Sequence, residues 1–181
     1  HLDLEGTRET LLSIGNGYFG TRGTQEETSA GQYNYPGTYI AGLYNRLESE
    51  IAGQIVSNED FVNCPNWLPI TFKIAEGDWF DPNQAEIKEI TRRLDFRTGT
   101  LHRNMVVVDS EGRQTRLESQ RLASMDNPHL AALRYQITPL NYEETIIVRS
   151  SLDGDIINAG VLRYRELSAK HLEPVREKCQ E

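Results

Sequence analysis

Apolar and polar residues alternate with a period of two through the middle of the chain. Ile70, Phe72 and Ile74 share one face of an extended run while Thr71, Lys73 and Ala75 take the other, the mark of a half-buried β-strand. Between Thr100 and Leu152 three turn signals, Ser110-Glu111-Gly112-Arg113, Asp126-Asn127-Pro128 and Pro139-Leu140-Asn141, divide four runs. Four successive antiparallel strands are predicted there. In the third run Ala131, Leu133, Tyr135 and Ile137 oppose Arg134 and Gln136; in the fourth, Ile146, Val148 and Leu152 oppose Thr145 and Arg149. The second run, Gln114 to Ser124, is polar on both faces and reads as an edge or solvent-washed strand. Upstream, Gly37 to Tyr44 is uncharged and rich in β-branched and aromatic residues, as expected of a strand buried on both faces inside a sandwich. Sustained helical periodicity is missing, although Leu47 to Ile55 and Ile87 to Ile90 are each compatible with a turn or two of helix. Pro174 interrupts any helix over 165 to 181 at Glu173. Many short strands with little helix predict an all-β fold, an antiparallel β-sandwich, built by residues 1–181 as a single domain.

Charge narrows the partners. A net charge of -8 without basic runs argues against a nucleic-acid backbone as ligand, because such binders need clustered Lys and Arg to displace counterions. The densest cationic spots, Arg92-Arg93 and Arg163-Tyr164-Arg165, read as solvated strand faces. No apolar run approaches a membrane span. The amino terminus, His1-Leu2-Asp3-Leu4-Glu5, has no initiator Met, basic region or apolar stretch of a signal peptide; it reads as a fragment boundary. No Asn-x-Ser/Thr acceptor occurs, and a cytoplasmic location is expected. Cys64 and Cys179 are the only thiols, too few and too far apart for a disulfide framework or metal cluster.

Chemistry-bearing patterns are sparse. Gly15-Asn16-Gly17-Tyr18-Phe19-Gly20 matches G-x-G-x-x-G literally, but a dinucleotide site needs a helix opening on the last glycine and an acidic residue roughly 20 positions on. Thr21-Arg22-Gly23-Thr24 starts a helix poorly, and residues 28 to 47 contain no Asp or Glu. The glycines read as turn and close-packing positions. Glycosidase-like carboxylate pairs are offered by Glu26-Glu27, Glu59-Asp60, Glu143-Glu144 and Asp153 with Asp155. Neighbours on a strand point to opposite faces, so these read as solvated loop or capping residues. His1, His102, His129 and His171 lack ligand spacing, so no metal is expected. Tyr35, Tyr39, Tyr44, Trp67 and Trp79 offer flat faces suited to sugar rings, with core packing the plainer reading.

Several segments in order carry a resemblance. They are Glu9 to Gly23 (ETLLSIGNGYFGTRG), Gly37 to Asn45 (GTYIAGLYN), Asn63 to Pro69 (NCPNWLP), Arg93 to Leu101 (RLDFRTGTL), Ser150 to Gly154 (SSLDG) and His171-Leu172. Together they resemble the amino-terminal domain of glycoside hydrolase family 65, the family of maltose, trehalose and kojibiose phosphorylases and acid trehalases. The resemblance implies a supersandwich-like domain, truncated here, joined downstream to an (α/α)6 barrel that holds the catalytic Glu and the phosphate site. No residue of this chain inherits a catalytic, cofactor or metal role on that basis. In a phosphorylase the barrel Glu protonates the glycosidic oxygen while inorganic phosphate, the co-substrate, attacks the anomeric carbon with inversion; in a hydrolase a second carboxylate activates water.

The implied partners are the barrel, a disaccharide bound by the parent enzyme, and a second copy in a homodimer. Arg22, Tyr44, Trp67 and Trp79 are the candidate barrel-facing or sugar-contacting residues, and the segments around Gly15 to Gly23 and Gly37 to Asn45 the candidate barrel-facing surfaces. A truncated sandwich should expose a sheet edge or apolar patch. Three roles stay open at this point: accessory domain of a phosphorylase or hydrolase, independent carbohydrate-binding module, and oligomerisation domain.

Overall fold

Alternation in the central runs builds the largest sheet. In the computed structural model, which describes residues 2–159 and 166–175, β7 (Glu86–Asp95), β8 (Thr100–Val108), β9 (Gln114–Ala123) and β10 (Ala131–Pro139) form an antiparallel meander in the order β10-β9-β8-β7. The turns follow from side chains that replace backbone partners. Asp109 accepts hydrogen bonds from the amides of Glu111 and Arg113 at 2.9 and 3.0 Å, and Gly112 takes the left-handed φ of 78° that closes the β8–β9 turn.

Packed on the inner face of this sheet is a two-stranded antiparallel pair, β6 (Ile70–Ile74) with β11 (Ile146–Ser150). Phe72 and Ile74 meet Met105, Val107 and Leu117, with Phe80, Ile87, Tyr135, Ile137, Tyr142 and Ile146 around them. Two sheets with interdigitating apolar faces make an antiparallel β-sandwich. Register lines up Ile90, Met105, Leu117 and Ile137 across all four strands, so one apolar row serves every strand.

Two smaller sheets flank the sandwich. The strands β1 (Ile14–Gly15), β2 (Phe19–Thr21) and β3 (Thr38–Ile40) form one, and the hairpin β4 (Tyr44–Ile51) with β5 (Gln54–Phe61) the other. Ahead of them a 3-10 turn, Leu2–Leu4, leads into the helix α1, Glu5–Leu11. The helix escapes apolar periodicity because its buried positions are Glu5 and Glu9, one turn apart.

Several expectations are corrected and one, the last below, is met. Gln114 to Ser124 is an interior strand, β9, rather than an edge: Thr115, Leu117, Ser119, Arg121 and Ala123 are all buried. The fourth run, β11, leaves the meander and pairs with β6. The Gly37 to Tyr44 strand is only Thr38–Ile40; Gly42, at φ 78°, turns the chain, and Leu43 and Tyr44 are exposed. Leu47 to Ile55 and Ile87 to Ile90 are strand rather than helix, the first bent by the positive φ of Ala52 and Gly53 and the second bulged between Ile87 and Glu89. The literal G-x-G-x-x-G run is the β1–β2 turn, held by Asn16 Oδ1 accepting from the amides of Tyr18 and Phe19, with no helix after it.

Candidate functional site

Next to the apolar row lies a polar one, Arg92, Arg103, Ser119 and Tyr135, one residue from each strand of the meander. Arg103, Ser119 and Arg121 are buried. Strand alternation forces them inward, and what covers them is the segment Gly23–Thr28 instead of β6 and β11. Arg103 forks onto Glu27 at 2.5 and 2.6 Å, lies 3.0 Å from Glu26, and donates to Gln25 Oε1 at 3.2 Å. Tyr135 donates to Glu27, and Arg121 donates to the Thr24 carbonyl at 2.6 Å. Bidentate guanidinium–carboxylate geometry is strong and directional.

Electrostatics follow from this crowding. Burial pushes the Glu26 carboxyl up, but the Arg103 and Arg121 guanidinium groups more than reverse that and hold it below the usual carboxylate range. Burial also disfavours charge on Arg103, and Glu26 and Glu27 overturn it, raising its value. Arg121 is lowered, because its burial outweighs the pull of Glu26. Tyr135 is raised by burial and by the charge on Glu27. The Glu26-Glu27 pair, expected in a solvated loop, is therefore corrected to a buried one, fully committed to holding protein against protein.

The helix repeats the device. Glu9, fully buried, accepts from Asn34 Nδ2 at 3.1 Å and from the Tyr35 amide at 2.9 Å, while Glu5 pairs with Arg92 at 2.7 Å. Burial raises the Glu5 carboxyl, and its bonds to Arg92 and Arg8 bring it below its ordinary value. Gly23 is required where the loop crosses the helix, since a Cβ there would meet Leu12 Cβ at 2.5 Å. The stretch from Ser29 to Tyr33 thus protrudes from a base clamped at Glu27 on one side and Asn34 on the other.

The remaining acidic pairs do not converge. Glu59 makes an exposed pair with Arg46, Asp60 faces His171 at 3.4 Å, Glu143 and Glu144 are exposed, and Asp155 pairs with Lys170. His102 contacts Gln120, and His129 packs edge-on against Tyr18. No group of three or more His, Cys, Asp or Glu side chains arranged to hold a metal occurs among the described residues. Cys64 is buried, and burial pushes its thiol up. His1, Cys179 and the Arg163-Tyr164-Arg165 run lie outside the described residues. Among those described, no helix is long and apolar enough to cross a membrane.

Of the four singled-out contact residues, two are spent internally. Arg22 donates to the carbonyls of Tyr35 and Gly6 and to Thr10, and stacks over the Tyr35 ring at 5.2 Å. Trp67 packs edge-on against Phe19 at 5.9 Å. Tyr44 is 57% exposed beside Phe61, and Trp79 is 36% exposed on the outer face of the β6–β11 pair. The structure does not bring the four together. What the sequence missed was the Arg103–Glu27 core; charged residues at the inward phase of β8 and β9 were its one visible signal.

Comparison with known proteins fixes the class. Residues 1–181 match the family described as "Glycosyl hydrolase family 65, N-terminal domain". The chain belongs to that family. It is 44% identical over 168 residues, 93% of its length, to an uncharacterised glycosyl hydrolase of Mycobacterium tuberculosis, of which it covers 13%. Against a kojibiose phosphorylase of Caldanaerobacter subterraneus it is 39% identical over 96% of its length, covering 21% of that protein. A solved structure assigned as a kojibiose phosphorylase from the human microbiome shares the fold, with a TM-score of 0.76 at 24% identity over 86% of this chain and 21% of that one. The chain spans about a fifth or less of the length of these relatives.

Proposed function

We propose that this chain is the non-catalytic scaffold of an enzyme that cleaves an α-linked glucose disaccharide of the kojibiose, trehalose or maltose type by inverting phosphorolysis. One observation carries the reading: the buried carboxylates among the described residues are engaged within the domain, Glu9 by Asn34 and the Tyr35 amide and the others by arginines. Glu26 and Glu27 share Arg103, and Glu5 is held by Arg92. A general acid needs a carboxyl poised to release a proton near neutral pH. Glu5 and Glu26 are displaced the other way.

The chemistry is accordingly assigned to a downstream barrel, with this domain walling one side of its opening and supporting a homodimer in the cytoplasm. Phosphate is itself a nucleophile, so a single protein carboxyl on the leaving oxygen suffices. Displacement from the face opposite an α-linked aglycone yields the β-anomer of glucose 1-phosphate. Proton NMR of a polypeptide carrying this domain with its barrel, given kojibiose and phosphate, should show that β-anomer at first turnover. The α-anomer, or two molecules of glucose per kojibiose with no glucose 1-phosphate, would contradict the assignment.

A further inference from the structure

Trp79 stands on a ridge between two clefts. One, of about 640 Å³, has Asp78, Trp79, Asp81 and Arg113 around its rim and reaches down to the core residues Phe72 and Val107. The other, of about 360 Å³, lies between Trp79 and the protruding Ser29 to Tyr33 stretch and is bordered by Asp81, Asn83 and Arg149. Both volumes fall in the range of roughly 300–1,000 Å³ common for small-molecule sites. Trp79, Phe80 and Asp81 border both, so the two clefts adjoin along the indole and together make a trough with Trp79 at its middle.

The trough is held rigid. From the shared outer face of β6 and β11, Arg149 stacks 4.2 Å and Lys73 lies 5.9 Å from the Trp79 ring centroid. Phe80 donates its amide to the Phe72 carbonyl at 2.9 Å and stacks on the Phe72 ring, so the segment bearing Trp79 is fastened along β6. Asp81 orients the Asn83 amide and the Gln84 side chain. Across the gap, the buried Arg103–Glu27 and Glu9–Asn34 contacts fix the opposite wall at both ends. Asn83 donates to Asn34 at 3.1 Å, joining the two walls, while its Oδ1 is buried without a hydrogen-bond partner in the structure.

Such a wall composition suits a hydroxylated ring. A partly exposed indole gives an apolar platform for the C–H face of a pyranose, and carboxylate, amide and guanidinium groups around its edge match vicinal hydroxyls. We propose that the Trp79 trough is a non-catalytic subsite for a short α-linked gluco-oligosaccharide, with one sugar in each cleft and the ring of Trp79 beneath the linkage. The choice of a glucoside rests on the family-level reading above; the trough itself rests on geometry.

Isothermal titration of the chain with maltotetraose tests it. Saturable binding in the millimolar range is expected, weakened about tenfold or more by Trp79→Ala. Ala30→Trp, which fills the cleft from an exposed loop position, should weaken it as much and does not depend on Trp79→Ala folding. Phe96→Ala, at the most exposed aromatic ring among the described residues, should leave binding unchanged. Absence of saturable binding, or binding indifferent to both trough variants, would overturn the subsite. The scaffold reading would survive either result, since it depends on where turnover occurs and not on this trough.

Discussion

Arg103 is the residue on which the inner face turns. Its guanidinium is enclosed with Glu26 and Glu27, and removing one partner of a buried ion pair strands the other's charge in a poor solvent. Arg103→Met should lower stability by about 3–5 kcal/mol, read as a shift in the urea midpoint. Arg103→Lys should also destabilise, because an ammonium cannot reproduce the two-point fork. Acid should act on the same cluster. Folded Glu26 and Glu5 titrate below their ordinary 4.5, so under that pH the unfolded chain binds protons the folded chain refuses. Stability should be level above pH 5 and fall as pH drops through and below 4.5; a flat profile down to pH 3 would contradict the ion-pair account. None of this was legible at residue scale. Arg103 and Arg121 sit at the inward phase of their strands, but Glu26 and Glu27 approach from more than 70 positions earlier, and no local pattern announces that pairing.

At the scale of elements, period-two runs reported strands well and neighbours poorly. β6 and β10 lie where alternation put them and β8 where the turn signals did, since each presents apolar side chains to a single core. β9 departs from the edge-strand expectation because its inward residues are Thr115, Ser119 and Arg121 as well as Leu117; partners on the Gly23–Thr28 segment turn these polar positions into a buried face. The β4–β5 hairpin stands where a turn or two of helix is compatible with Leu47 to Ile55, because the chain reverses inside that run. Ala52 and Gly53 have φ of 51° and 78°, the type I′ geometry of tight hairpins. A Cβ at Ala52 resists that conformation, so Ala52→Asn, giving the preferred Asn-Gly pair, should raise stability by up to about 1 kcal/mol. Thermal melting with both chains at equal concentration measures it.

Among the described residues, the β4–β5 hairpin and the β11 region are two of the places where apolar surface is left uncovered. Beside the turn of the β4–β5 hairpin Ile55 is 73% exposed and Val56 is also exposed, at its far end Leu43 and Phe61 are exposed, and Leu152 beyond β11 is 76% exposed with Ile147 and Val148. A two-stranded hairpin is marginal alone, and open edges carrying apolar residues invite pairing. Concentration-dependent self-association is the expected outcome, seen as a rising weight-average mass in sedimentation; Ile55→Lys with Val148→Lys should suppress it, and a monomer at all concentrations would count against these surfaces being interfaces. Sandwich architecture and family were both legible at this scale. The first was visible through strand count and turns. The second came from ordered segments such as Glu9 to Gly23, whose residues form the Glu9–Arg22 and Gly23–Leu12 contacts. The four singled-out residues do not form one site, since Arg22 and Trp67 are engaged within the fold while Tyr44 and Trp79 are exposed.

On the proposed function, these residues support a reaction they do not perform. The most direct test is phosphate-dependent release of glucose 1-phosphate from kojibiose, trehalose and maltose by the purified 181-residue chain. No release above the uncatalysed background is predicted, with the chain folded and at high concentration. Saturable turnover by the chain that vanishes in Glu26→Gln or Glu27→Gln, while the protein remains folded, would contradict it.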